Sequence, residues 1–251
     1  MRSAFDFSIG IGYNIVMDIY AVSDLHLSIN NPKPMNIFGA AWENYLGDIE
    51  RSLGGVKPDD LVLIAGDLSW AMTLDAATAD LDYIGGLPGI KVITRGNHDY
   101  WWKGIGAVRA KLPSGVYAVQ NDCVKFGNVI VCGSRGWSAD DKSEDGKRLF
   151  ARELLRMEMS LQAMEKQRGE GDKVVFMIHY PPFNARFDDN EVTALFERFK
   201  VDAVIYGHLH GKDCRAKRYL VKNGIPYYLT SCDKIDNTAV KIELDKHGDC
   251  K

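Results

Sequence analysis

Five short apolar runs along the chain stop abruptly at glycine, aspartate or histidine. Residues 19–22 lead into Ser23-Asp24, residues 61–65 into Gly66-Asp67, and residues 91–94 into Arg95-Gly96-Asn97. Residues 174–178 lead into His179, and residues 203–206 into Gly207-His208. Continuous runs of this length, rich in branched side chains, predict strands buried on both faces. Between them the period changes. Trp42, Tyr45, Leu46, Ile49 and Leu53 recur at helical spacing over residues 40–53. Ala77, Leu81 and Ile84 do the same over 76–84, and Val192, Leu195, Phe196 and Phe199 over 191–199. The polar stretch 140–168 carries Leu149, Leu154, Leu155, Met159 and Leu161, and most of it predicts one surface helix.

The last third changes character. Residues 217–221, 227–231 and 238–244 alternate with turn segments at Asn223-Gly224 and 234–237, and predict antiparallel strands. Residues 123–126 and 129–133 around Gly127-Asn128 predict a hairpin. Units of βαβ type followed by β-rich pieces imply an α/β (α+β) fold with two packed sheets flanked by helices. Residues 17–251 contain no linker, repeat or low-complexity segment and are expected to form one domain. Residues 1–16 read either as an N-terminal extension from a misplaced start codon or as an ordinary first strand. Met17-Asp18-Ile19, where a strand begins at once, favours the extension.

Composition narrows the function. A chain of 251 residues, 46% hydrophobic, is long enough for one large core. Its net charge of −3 and lack of any Lys/Arg block argue against a general nucleic-acid binder. No apolar segment is long enough to span a bilayer, so no membrane association is expected. The five cysteines include no C-x-x-C pair. Cys132 and Cys232 read as small buried hydrophobes, and a reducing cytoplasmic setting is expected.

Histidine carries the chemistry. Of six histidines, only His247 lies outside the clusters that follow the apolar runs. Imidazole and carboxylate together are the usual ligands of catalytic divalent metals. Residues two apart on a strand share a side, so Asp24 with His26, and His208 with His210, are each expected to reach one metal. Ligands of open α/β sheets sit outside the carboxyl ends of strands, where all the clusters fall. Taken singly, Asp24 and Asp67 read equally well as turn or N-cap residues, and His179 as a core histidine. A structural zinc site is disfavoured because no cysteines accompany the histidines.

The ordered set Asp24-Leu25-His26, Gly66-Asp67, Gly96-Asn97-His98-Asp99, His179 and Gly207-His208-Leu209-His210 resembles the signature of calcineurin-like metallophosphoesterases. Each block alone is weak, but the set in this order is specific. The resemblance implies a four-layer αββα sandwich with two mixed sheets. It implies one metal held by Asp24, His26 and His210, a second held by Asn97, His179 and His208, and Asp67 bridging them. The ions would be divalent, Mn2+ first, with iron or zinc as alternatives. Hydrolysis in the family is in-line attack by metal-bound hydroxide, with His98 protonating the leaving oxygen and Asp99 orienting His98. Arg135, Trp101 and Tyr180 are candidate substrate contacts, with Arg135 taking a phosphate oxygen. Trp102 and Trp137 read as core residues.

The expected substrate is a small phosphomonoester or phosphodiester. Gly66-Asp67 is followed by Leu68-Ser69-Trp70-Ala71, without the Asp-Arg-Gly of the protein phosphatases in this superfamily, although Arg95 matches that branch. Gly-Asn-His-Asp resembles the bacterial phosphodiesterase-like branch. A nuclease would need a basic groove or an added nucleic-acid domain, and neither is visible. A non-catalytic protein-binding scaffold tends to lose His98-type residues or ligands, and this chain retains them. The ligand set does not identify a protein partner.

Overall fold

The computed structural model of the protein describes residues 17–30 and 32–244. The segment 1–16, His247 and Cys250 lie outside the described residues. In chain order the strands are β1 (Ile19–Ala21), β2 (Leu61–Ile64), β3 (Ile90–Ile93), β4 (Val116–Ala118), β5 (Asp122–Phe126) and β6 (Val129–Ser134). They continue as β7 (Lys173–Ile178), β8 (Ala203–Tyr206), β9 (Tyr219–Lys222), β10 (Ile225–Leu229) and β11 (Val240–Lys241). The helices are α1 (Tyr45–Ser52), α2 (Thr78–Gly86), α3 (Ile105–Lys111), α4 (Glu144–Glu165) and α5 (Glu191–Arg198).

Two mixed sheets result. The first has the order β11-β1-β2-β3-β4, parallel except for β11. The second has the order β5-β6-β7-β8-β10-β9, parallel except for its edge strands β5 and β9. Strand alternation sorts each run into two layers. Leu61 and Leu63 of β2 pack between the sheets with Val175, Met177 and Ile205. Val62 and Ile64 face outward onto Ile49 of α1, Leu81 of α2 and Val108 of α3. Phe176 and Ile178 face the other way, onto Met157 and Leu161 of α4 and Phe196 of α5. The expected αββα sandwich is therefore the observed one.

The departures have local causes. The helix expected over 40–53 is interrupted: 3-10 turns at Met35–Phe38 and Ala40–Trp42 precede α1. Here Trp42 turns inward, 4% exposed, against His26 and His210 instead of continuing a helical face. The seven residues of α3 and the three of β4 are too short to print a period, and the sequence did not announce them. On α4, Leu155 and Met159 are solvent-exposed while Glu153 is buried, so its inner face is partly polar. Two caps fix the helices on the second sheet. The Ser143 hydroxyl accepts the Gly146 N–H at the start of α4, and Asn190 with Thr193 forms a capping box at α5.

Candidate metal centre

The parallel strands β1, β2 and β3 of one sheet and β7 and β8 of the other end at the same edge of the sandwich. Each is followed by one of the histidine or aspartate clusters. The loops are not extended strand. β1 stops at Ala21, and Asp24 and His26 follow with φ of 61° and 46°. Asp67 and His208 share this left-handed conformation, at 52° and 72°. The expectation that Asp24 and His26 converge by strand alternation is therefore corrected: they converge through left-handed turns, which Asp and His tolerate better than most residues. Two glycines leave room for the carboxylates. A Cβ on Gly96 would lie 2.1 Å from Asp67 Oδ1, and one on Gly207 would lie 2.4 Å from Asp24 Oδ2.

The helices hold these loops from outside. The Tyr45 hydroxyl of α1 donates to the Leu25 carbonyl at 2.9 Å. Buried Asp80 of α2 accepts the Ile29 N–H and the Ser69 hydroxyl, so one carboxylate ties the first loop to the second. Ser23 N–H donates to the Thr230 carbonyl, and Cys232 N–H to that of Ser23, joining the first loop to the end of β10.

One set of donors lies around Asp24. Ligand atoms of Asp24, His26, Asp67 and His210 all fall within 4.8 Å of one another. His210 Nε2 is 3.1 Å from Asp24 Oδ1 and 3.4 Å from His26 Nε2. A second set lies around Asn97, whose Oδ1 is 2.7 Å from His179 Nε2 and 2.8 Å from His208 Nδ1. Asp67 Oδ2 lies 3.8 Å from His26 Nε2 and 3.4 Å from His179 Nε2, so it faces both sets. Two outer contacts aim the rings. His179 Nδ1 meets the Ala65 carbonyl at 3.0 Å, and His210 Nδ1 meets Asp233 Oδ1 at 2.8 Å, which leaves each Nε2 pointing inward. Convergent imidazole nitrogens and carboxylate oxygens with such outer support fit divalent cations.

Residues 17–212 match the model of the calcineurin-like phosphoesterase family. The chain belongs to this family. It is a hydrolase of phosphate esters, in a family that uses divalent metals. Solved structures share the fold at low identity. The protein TT1561 of Thermus thermophilus is 12% identical with a TM-score of 0.58, over 91% of this chain and 99% of that one. Phosphopantetheinyl hydrolase from Mycobacterium tuberculosis is 13% identical with a TM-score of 0.53, over 92% and 97%. A 5'-nucleotidase from Candida albicans is 13% identical with a TM-score of 0.50, over 92% of this chain and 49% of that one. No curated protein matches the sequence.

The electrostatics of this phosphoesterase site are set by burial. Burial and neighbouring imidazoles push His26 down to about 3 and His208 to about 4, against the pull of Asp24. His179 and His98 are lowered by the same causes. These rings are neutral, the form that coordinates cations. Burial and the Asp24 charge push Asp67 up. Burial would also raise Asp24, but His210, His179 and His26 outweigh it and hold that carboxyl below its usual range. His210 is the exception. Burial opposes its charge, yet Asp24 and Asp233 raise it to about 10.

The other expected residues fall in different places. His98 is half-buried above the first set, its ring 5.5 Å from that of His26, and its backbone N–H donates to Asp67 Oδ1 at 2.8 Å. Asp99, expected to orient His98, does something else. It accepts the N–H groups of Leu68, Ser69 and Gly96 and the Trp101 indole, and is fully buried. Its oxygens are occupied in locking the second loop to the third. Trp101, expected at the substrate mouth, is fully buried behind Asp99. Trp102 is core as expected, and Trp137 is half-buried against Tyr180. Tyr180 places its ring 4.3 Å from that of His208. The Arg135 carbonyl accepts the N–H groups of His179 and Tyr180, while its guanidinium enters a separate cavity.

Four residues around the site were not singled out from the sequence as part of it. Asp233 lies in a 3-10 turn with no motif. Trp70 stacks on His26 at 4.8 Å and 20°, and Trp42 sits 5.7 Å from His210. Trp70 stands three residues after Asp67, and its position there was the available signal. Lys33 places its Nζ 3.2 Å from the centre of the Trp70 ring.

Metal affinity should respond to both the outer contacts and the protons. Asp233→Asn keeps the shape but weakens the orienting bond to His210, and is expected to lower metal affinity about 10–100-fold. Equilibrium dialysis against Mn2+ checks this, and unchanged affinity contradicts it. His210 and Asp67 both bind their protons more tightly than usual in the metal-free chain and must release them to ligate. Metal affinity should therefore rise from about pH 6 to about pH 8 with proton release, read by titration calorimetry in buffers of different ionisation enthalpy. A pH-independent affinity without proton release is the opposing result.

Proposed function

We propose that the protein is a dinuclear-metal phosphoesterase acting on a small phosphomonoester or phosphodiester. Asp24, His26 and His210 hold one divalent ion, Asn97, His179 and His208 the other, and Asp67 is shared. The observation that supports this most strongly is the position of Asp67, whose Oδ2 faces His26 on one side and His179 on the other. Mn2+ is the first choice, with iron or zinc as alternatives, because mixed N/O sites leave the selection to availability. Such a pair supplies Lewis-acid polarisation of the phosphoryl group and lowers the pKa of water.

The chain's own residues do the rest. Neutral Asn97 supplies an oxygen without a third negative charge, which keeps the centre attractive to an anionic ester. His98, half-buried on the rim, is placed to give a proton to the leaving oxygen. Burial, the surrounding histidines and Lys33 lower it and keep it neutral in the free chain, and an anionic substrate beside it opposes that effect and favours the protonated form that this role needs. Asp99 is a positioning residue: it fixes the loop that carries Asn97 and His98. Trp70 and Trp42 cover one side of the imidazoles and exclude water there. Tyr180 borders the other set, beside His208.

Retention of His98 with the complete ligand set favours catalysis over a protein-binding scaffold. The net charge of −3 disfavours a nuclease, and the missing Asp-Arg-Gly disfavours a protein phosphatase. No helix among the described residues is long and apolar enough to cross a membrane. The described cysteines are all free, which supports a reducing, cytoplasmic location.

The test uses Mn2+-loaded chain with p-nitrophenyl phosphate and bis-p-nitrophenyl phosphate. Wild type is expected to hydrolyse at least one of them and to stop on chelation. His98→Ala should lose about 10²–10⁴-fold in kcat while retaining its metals by elemental analysis. Asp67→Asn should lose metal as well as turnover. Full turnover in His98→Ala removes that residue from the reaction, and full metal content with full turnover in Asp67→Asn contradicts the shared ligand.

A further inference from the structure

Two loops that also serve the metal centre, at Arg95 and Arg135, help line a charged cavity of about 180 Å3. Arg95, Arg135, Arg152 and Arg156 line it together with one carboxylate, that of Glu153. Gln120 and Asn121 complete the lining, so every side chain around it is polar. Its volume is more than tenfold the ~10–15 Å3 that one water needs.

The internal salt bridges leave this cavity strongly positive. Glu153 is 1% exposed, and its guanidinium contacts all fall on Oε1: Arg156 at 2.7 Å, Arg152 at 3.1 Å and Arg135 at 3.8 Å. The Arg135 contact is too long for a hydrogen bond. Arg95 Nε is buried and has no hydrogen-bond partner. Four cationic forks thus line the cavity with one anion that already serves two of them, and Asp99 behind Arg95 is the other carboxylate acting on that side chain. A cluster built only to hold helix α4 against the sheet would gain nothing from the surplus charge or the open volume.

The cavity shares its framework with the metal centre. Arg95 stands two residues before Asn97 on the third loop. The Arg135 carbonyl accepts the His179 and Tyr180 N–H groups, each at 3.1 Å. Arg152, Glu153 and Arg156 come from one side of α4, which packs against β5 and β6. Planar guanidinium groups around a polar hollow are suited to a phosphate, which they can grip through paired N–H···O bonds.

We propose that this cavity is a second anion subsite, which takes a phosphate group of the substrate other than the one hydrolysed at the metal centre. The substrate class is then a small molecule bearing two phosphates. This assignment rests on the phosphoesterase reading for its link to turnover. The binding itself needs only the arginines. Glu153 holds Arg152 and Arg156 in position and at the same time competes with the ligand.

Isothermal titration of the full Mn2+-loaded chain tests this, with inorganic phosphate and fructose 1,6-bisphosphate as probes. Wild type is expected to bind two equivalents of phosphate. Arg156→Gln should weaken one of them at least tenfold, whereas Glu153→Gln should tighten the same one severalfold. Opposite signs from neighbouring substitutions separate lost binding from lost folding. The bisphosphate should bind as one equivalent, weakened at least tenfold by Arg156→Gln and equally by Asp67→Asn. A single phosphate equivalent unmoved by either cavity substitution overturns the subsite, as does a loss of affinity in both. A bisphosphate affinity indifferent to Asp67→Asn overturns the substrate assignment and leaves a site for free phosphate only. If the phosphoesterase reading fails instead, turnover is absent while the phosphate equivalent sensitive to Arg156 persists.

Discussion

Asp24 and Asp67 are buried side by side, at 0% and 1% exposure, where solvent cannot dilute their repulsion. Burying like charges is costly unless each gains a partner. The protein supplies part of the compensation itself: His210 is drawn into a charged form by Asp24 and Asp233, and Asp24 accepts the His208 N–H. Asp67 is left pushed toward its protonated form, with two neutral imidazoles beside it. Cations placed between the carboxylates and the neutral rings would relieve this arrangement. The left-handed turns, the close glycines and the outer hydrogen bonds all hold it in place.

The sandwich makes such a concentration of charge possible. Parallel strands in both sheets send their carboxyl ends to one edge, so loops distant in sequence meet without long excursions. The apolar layers on both sides of each sheet fix the strand ends. Asp80 and Asp99 then tie the loops to one another through their own buried carboxylates. Asp99 is itself pushed up to about 6, chiefly by burial and then by Asp67, and the Gly96 and Ser69 N–H groups oppose that rise only in part. Stability and site geometry therefore rest on the same side chains.

Much of this was legible in the sequence because the ligands come in short blocks directly after apolar runs. Asp24 to His210 were visible from their residue types and order, and the unbroken apolar runs at residues 61–65 and 174–178 foretold two-sided burial. Other features had no local signature. Asp233 meets His210 across 23 residues, and a lone aspartate in a short turn prints no pattern. The family resemblance implied that Asp99 serves His98, but the turn carries its carboxylate back to Leu68, Ser69 and Gly96. The stretch 140–168 reads as one surface helix, whereas its Glu153 is buried and its Leu155 is exposed. The sequence period of α4 misleads there because its inward face meets a charged cavity as well as a core.

The most direct measurement is an anomalous-difference map from crystals of the Mn2+-loaded chain. The account requires two peaks about 3.5–4 Å apart, one bounded by Asp24, His26 and His210, the other by Asn97, His179 and His208, with an Asp67 oxygen reaching both. A single peak, or a pair that Asp67 does not bridge, would contradict it.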